Sequence, residues 1–226
     1  MTSIPGLSHV ARLGPEHLDA MTRLQDRVAR DLPEGYVRPK TPDDLAGYAE
    51  GRLGAAFGIV ADDALLAMSL LQLPSESQPN RGAVPMPRVP AADWPRHACF
   101  LANTMVLPAA RGRGCQRALI EARFAHAAQA GMKWVCAGVH LANTASWRNL
   151  LARGMAIVGL RLDSGYPVIG LTASLHAPLP VRETAGQMTV GALDHMRHEF
   201  ALRHGYVGVR LAPDGGVVYR RAANER

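Results

Sequence analysis

The chain has 226 residues, 48% of them hydrophobic, and its 25 Lys and Arg against 19 Asp and Glu leave a formal charge of +6. That length suits one enlarged domain better than two independent cores, and no long apolar span or basic-then-apolar leader is present, so a cytoplasmic protein with no membrane contact is expected. Scattered basic residues and only 5% aromatics argue against a stacking platform for nucleic acid, and three spaced cysteines (Cys99, Cys115, Cys136) exclude a disulfide framework.

In chain order, a short strand is expected near Ser8 to Leu13, then a helix from about Pro15 to Ala29. Thr41 reads as an N-cap, with Pro42 at the first helical position and Asp43 and Asp44 in the first turn, which predicts a helix to about Arg52. AAFGIV and LLAMSLLQL, joined through ADDA, form a hairpin pattern of mostly buried strands. From Pro74 to Arg96 the chain is proline-rich and aperiodic, a long connection expected to border the acceptor site of any enzyme built here. HACFLANTMVL is a strand, followed by a helix whose Ile120, Phe124, Ala127 and Ala128 share a face and which stops at Gly131. KWVCAGV is the next strand, expected parallel to the previous one. A short helix from Asn143 to Arg153 ends at Gly154, and a hairpin of MAIVGLRL and YPVIGLTASL turns at Asp163, Ser164 and Gly165. The tail carries a helix from about Thr189 to His204 and a last hairpin turning at Asp214, Gly215 and Gly216.

The stretch VLPAARGRGCQRALIEARF carries chemistry at its junction of strand and helix. A helix N-terminus has unpaired N–H groups and partial positive charge, and Gly112 and Gly114 let the backbone approach phosphate oxygens closely. Arg111 and Arg113 add charge in the same place, which suits a pyrophosphate. No Lys-Ser or Lys-Thr pair follows, so this is no P-loop; Arg117 stands where a dinucleotide fingerprint needs its third glycine.

With its surroundings, the segment resembles the GCN5-related N-acetyltransferase (GNAT) superfamily. The acetyl-CoA motif of that family follows a strand ending Val-x-Pro, matched by Val106, Leu107 and Pro108, and continues through Arg111 and Gly114; Gln116 replaces its final small residue. Asn143 and Gly154, eleven residues apart, keep a second spacing of the family. The resemblance covers residues 97–160 well. It implies an α/β (α+β) fold: a mixed, mostly antiparallel sheet with a splayed parallel strand pair, flanked by helices. Residues 1–176 are then the acetyltransferase core, and 177–226 a C-terminal helix and hairpin packed on it. It further implies acetyl-CoA as cosubstrate, held by the main chain of Met105 and Val106, by phosphate contacts at Arg111, Gly112, Arg113, Gly114, Cys115 and Gln116, and by Asn143.

Transfer to an amine needs a neutral nucleophile, a polarised thioester carbonyl and a proton for the thiolate. The strand from His97 to Val106 has no carboxylate where relatives often carry one, so His140, at the end of KWVCAGV, is the candidate base. His97 is the second choice, and a water route from Glu34 or Asp93 stays open. Leu150 stands where relatives frequently have a tyrosine acid, which leaves Ser146 as the candidate donor. Trp147 reads as packing. His195, His198 and Glu199 match no metal spacing and read as a solvated helix face, so no metal is expected. The expected function is an acetyl-CoA-dependent N-acetyltransferase acting by direct transfer on a small-molecule or peptide amine, with a homodimer left open. Its rivals are a catalytically degenerate CoA-binding module and a basic nucleic-acid-binding protein.

Overall fold

The computed structural model describes residues 9–75, 86–163, 165–182 and 186–223. Ser8, residues 76–85 of the proline-rich connection and Ser164 of the expected turn lie outside the described residues. The chain forms two compact units, one of residues 1–83 with 95–132, the other of residues 84–94 with 133–226.

In the first unit, β1 (Val10–Arg12) leads through a 3₁₀ turn at Pro15–His17 into α1 (Leu18–Asp31), and α2 (Pro42–Ala49) follows. The Thr41 cap forms as expected, its hydroxyl accepting from the Asp44 amide at 3.1 Å, but α2 stops at Ala49 and Gly51 already has φ +86°. β2 (Gly54–Ala61) and β3 (Ala64–Gln72) are joined by Asp62 and Asp63, both at positive φ, the conformation that matches the twist of a two-residue hairpin. After the one-turn helix α3 (Trp94–His97) comes β4 (Ala98–Val106), then α4 (Cys115–Gln129). The strands run β1-β2-β3-β4, all antiparallel.

The β3–β4 register slips once: Leu71 faces Leu101 and Ser69 faces Thr104, so Leu70 opposes both Ala102 and Asn103. This β-bulge adds one residue to β4. Leu13, Met21, Leu24, Val28, Leu45, Leu70 and Met105 form the apolar centre between α1, α2 and the sheet. The buried face of α4 is Leu119, Ile120, Arg123, Phe124 and Ala127. Ala128, expected on that face, is exposed, and Arg123, a charged residue in helical register with Leu119, Ile120 and Ala127, is buried.

In the second unit, β5 (Trp134–His140) precedes α5 (Thr144–Ala152), β6 (Ala156–Asp163) and β7 (Tyr166–Ser174). β8 (Gln187–Val190), α6 (His195–Arg203), β9 (Tyr206–Leu211) and β10 (Val217–Arg221) complete it. The order β5-β7-β6-β9-β10-β8 is antiparallel throughout, and the tail joins the sheet where β9 meets β6 at Ile157 and Gly208. The expected tail helix from Thr189 is corrected: residues 187–190 pair with β10, where β-branched Thr189 and Val190 suit a strand, and the helix starts only after the Asp194 cap. His198 is also no part of a solvated face, being fully buried, with Nδ1 2.7 Å from the Tyr219 hydroxyl.

A row of glycines, Gly138, Gly170 and Gly159, crosses β5, β7 and β6. Met86 and Pro87 occupy the space that Gly170 and Gly159 leave: a Cβ on Gly170 would stand 2.8 Å from the Met86 sulfur, and one on Gly159 3.5 Å from Pro87. Further along, the Asp93 carboxylate accepts from Lys133 Nζ at 2.8 Å and Trp134 Nε1 at 3.1 Å. The end of the connection is thereby fastened to the start of β5, and Asp93 is committed to that anchor.

Candidate functional site

The first unit carries all the expected coenzyme residues except Asn143. β4 ends at Val106, Pro108–Ala110 makes a single 3₁₀ turn, and Gly112 and Gly114 both sit in the left-handed region, at φ +74° and +81°. A side chain there would be strained, which is why glycine occupies both positions. Gly114 is the N-cap of α4 with no side chain to satisfy the helix end, and the first helical bond runs from Ala118 N to Gly114 O at 3.1 Å. The amides of the first turn therefore face out of the helix end, where the dipole favours an anion. Space in front of Gly112 is open, since a Cβ there would meet nothing within 4 Å.

Arg111 and Arg113 are exposed beside this turn, and Arg111 Nε donates to the Val106 carbonyl at 3.3 Å, tying the turn to the end of β4. Arg117, one helical turn beyond Arg113, is also exposed and adds a third guanidinium on the same helix start. Cys115 is buried, its thiol directed at the Ala110 carbonyl at 3.4 Å, and burial pushes that thiol's pKa up. It can contribute only its main chain. Met105 is likewise buried in the core, so any ligand contact from it is through backbone, whereas Val106 and Gln116 are half-buried.

The second unit gathers His140, Asn143 and Ser146 at one end of β5. Asn143 N donates to the His140 carbonyl at 2.9 Å, and the Asn143 side-chain oxygen caps α5 by accepting from Ser146 N at 3.3 Å. The Asn143 Nδ2 group takes no part in that cap, so capping and ligand contact are compatible. Ala142 N donates to His140 Nδ1 at 3.1 Å. With Nδ1 accepting that bond, a neutral ring carries its proton on Nε2, an atom that is itself buried. Trp147 is fully buried and donates to the Leu141 carbonyl at 2.9 Å, and Leu150 is 3% exposed, so both serve packing.

One residue was missed by sequence reasoning. The Tyr166 ring lies 5.2 Å from that of His140, because Val168 faces His140 across the β5–β7 ladder and Tyr166, two residues away, shares its side of the sheet. Arg161 faces Val168 from β6, and its guanidinium reaches the Asp163 carboxylate at 3.4 Å, so His140, Tyr166, Arg161 and Asp163 form one polar cluster. Strict alternation through YPV could have found it. Among the described residues no group of three His, Cys, Asp or Glu is placed to hold a metal ion, and no helix is long and apolar enough to cross a membrane.

No family model and no curated protein sequence matches the chain. Solved structures do. The GNAT domain of Streptomyces lividans PAT aligns over 73% of this chain and 89% of its own, at 16% identity and a TM-score of 0.53. The yncA protein of Salmonella typhimurium, solved with its cofactor acetyl-CoA, aligns over 76% and 97% at 17% identity and 0.57. The ribosomal-protein-S18-alanine N-acetyltransferase of Escherichia coli aligns over 78% and 97% at 15% identity and 0.55. The mixed α/β architecture of this chain is the fold of the GCN5-related N-acetyltransferases.

Proposed function

We propose that the chain is an acetyltransferase that moves the acetyl group of acetyl-CoA directly to a primary amine of a small molecule or peptide. The observation that carries this reading is the turn at residues 111–116, where two left-handed glycines and exposed arginines open onto the α4 N-terminus in a chain with the GNAT fold. A pyrophosphate fits that arrangement of backbone donors and guanidinium groups.

In the proposed reaction the neutral amine nitrogen attacks the thioester carbonyl carbon, a C–N bond forms, the C–S bond breaks and CoA leaves as thiolate. A backbone N–H at or near Val106 polarises the carbonyl oxygen. Ser146 returns a proton to the thiolate. The proton of the amine leaves to solvent, and His140, with Nδ1 accepting from Ala142 N and Nε2 buried, orders the end of β5 in this reading.

A second reading, a CoA-binding module without catalysis, is favoured by Leu150, an apolar core residue where a phenol would have to stand. Calorimetric titration with acetyl-CoA, paired with a thiol-release assay over a panel of primary amines, separates the two. Turnover supports the enzyme and binding without turnover supports the module. Absence of binding rejects both.

A further inference from the structure

We propose that Arg123 is a positioning residue: its buried guanidinium locks the β-bulge of β4, and so sets the backbone register of Met105 and Val106 that the coenzyme reading uses. The proposal rests on that reading for its consequence in binding, but not for the lock itself.

Arg123 is 1% exposed, on the sheet-facing side of α4. Among the described residues no carboxylate pairs with it. Its Nε donates to Leu119 O in its own helix at 3.2 Å, and its Nη1 donates to Leu70 O of β3 at 3.4 Å and Ala102 O of β4 at 3.3 Å. Leu70 is the residue that opposes two partners at the bulge, and Ala102 is one of those two. A bulge interrupts the ladder locally, and one nitrogen here supplies donors to a carbonyl on each side of the interruption. Burial lowers the Arg123 pKa to about 9, still well above neutrality, so the group holds these carbonyls as a cation.

A planar fork is needed to span two strands and its own helix; a lysine ammonium is a single point. The lock matters because strand side chains alternate with a period of two. Without the extra residue, everything after Ala102 would change face, and Met105, now 1% exposed in the core, would turn outward. The second bulge residue, Asn103, also uses the geometry: its amide nitrogen donates to the Arg38 carbonyl at 2.6 Å, in the loop between α1 and α2. The same loop is held at its far end by Gln25, which exchanges two hydrogen bonds with the main chain of Lys40. Arg123 thus fixes, through β4, both the strand proposed for the coenzyme and the loop beside it.

The test uses wild type, Arg123→Lys and Arg123→Met, with CoA as the calorimetric probe and hydrogen exchange resolved over β4. In wild type those amides of residues 101–104 that are bonded to β3 should exchange only through global unfolding; their exchange by local opening overturns the lock without any variant. Arg123→Lys, studied well below its melting temperature, should expose those amides to local opening and weaken CoA binding by about tenfold or more, the scale on which small misplacements act. A merely structural arginine would lower the melting temperature of both variants while leaving CoA affinity and local exchange as in wild type, and that result overturns the proposal. Failure of wild type to bind CoA rejects the functional reading instead, with the exchange data still deciding the lock.

Discussion

Replacing Gly114 by aspartate tests the phosphate turn at its most demanding position. Gly114 has φ +81° and ψ +3°, so any L side chain meets backbone strain, about 1–2 kcal/mol for alanine and less for aspartate. For a 226-residue chain each kcal/mol lowers the melting temperature by roughly 2–4 °C, which leaves the variant folded at 25 °C. The charge acts on the ligand. Two unit charges 4 Å apart interact by about 1 kcal/mol in water and about 4 kcal/mol at an effective dielectric of 20, and an exposed turn belongs near the lower figure. Taking about 1–2 kcal/mol for each of two phosphate charges gives ~2–4 kcal/mol, or roughly 30- to 700-fold weaker CoA binding. Gly114→Ala should lose only a few-fold, and the exposed Arg111→Ala under about tenfold. The assay is calorimetry with CoA at low and high salt, with pantetheine, which lacks the pyrophosphate, as the control. The penalty should shrink with salt and vanish for pantetheine. A folded Gly114→Asp protein that binds CoA within threefold of wild type would refute the phosphate assignment.

Ser146→Ala should lower kcat by ~10²- to 10⁴-fold if its hydroxyl protonates the thiolate, and by under about tenfold if it is only a peripheral hydrogen bond; stopped thiol-release assays read the difference. Leu150→Phe, an overpacking change at a buried position, should lower the melting temperature by the equivalent of about 1–3 kcal/mol and leave kcat unchanged. His140→Gln, which keeps an acceptor, should retain more activity than His140→Ala and should leave the acidic limb of the kcat/KM profile in place; loss of that limb in both would restore His140 as the base. Burial holds His198 below the usual histidine range, so the native ring stays neutral while the unfolded chain takes up a proton below about pH 6.5. Stability should therefore fall as pH drops through that window, by at most about 1.4 kcal/mol per unit, and thermal melts of His198→Gln should show a shallower decline.

The strands and helices that announce themselves in sequence do so through signals that need no tertiary partner. Thr41 followed by Pro42 and two aspartates starts a helix because the cap hydroxyl and the first-turn charges act within four residues. Gly112 and Gly114 were legible as positions of close backbone approach, and the left-handed φ that both adopt is a second local demand, visible in the structure, that glycine meets without strain. The tail strand at residues 187–190 was not, because QMTV forms a ladder only with β10, some thirty residues away in the chain. A helical reading that began at Thr189 had no way to register that partner. His198 failed likewise: its neighbours Arg197 and Glu199 are solvent residues, and what buries it is Tyr219 on another strand.

The site divides along the same line. The backbone role proposed for Gly114 follows from turn chemistry, whereas those proposed for Met105 and Cys115 come from the family resemblance and fall on residues whose side chains are buried. Residues whose role depends on a second element were missed or misread. Tyr166 reaches His140 only through the β5–β7 register, and His140 Nδ1 accepts from an amide two residues on, in a turn whose geometry the sequence does not specify. Arg123 is the extreme case. Its charge, though not its helical register, reads as solvent-facing, and its burial follows from a defect in a neighbouring sheet that leaves two carbonyls needing one donor. A hydrophobic residue there would satisfy the periodicity of α4 and leave the bulge unsupported. The violation of pattern on the helix is thus the physical counterpart of the irregularity in the strand, and each is intelligible only with the other in view.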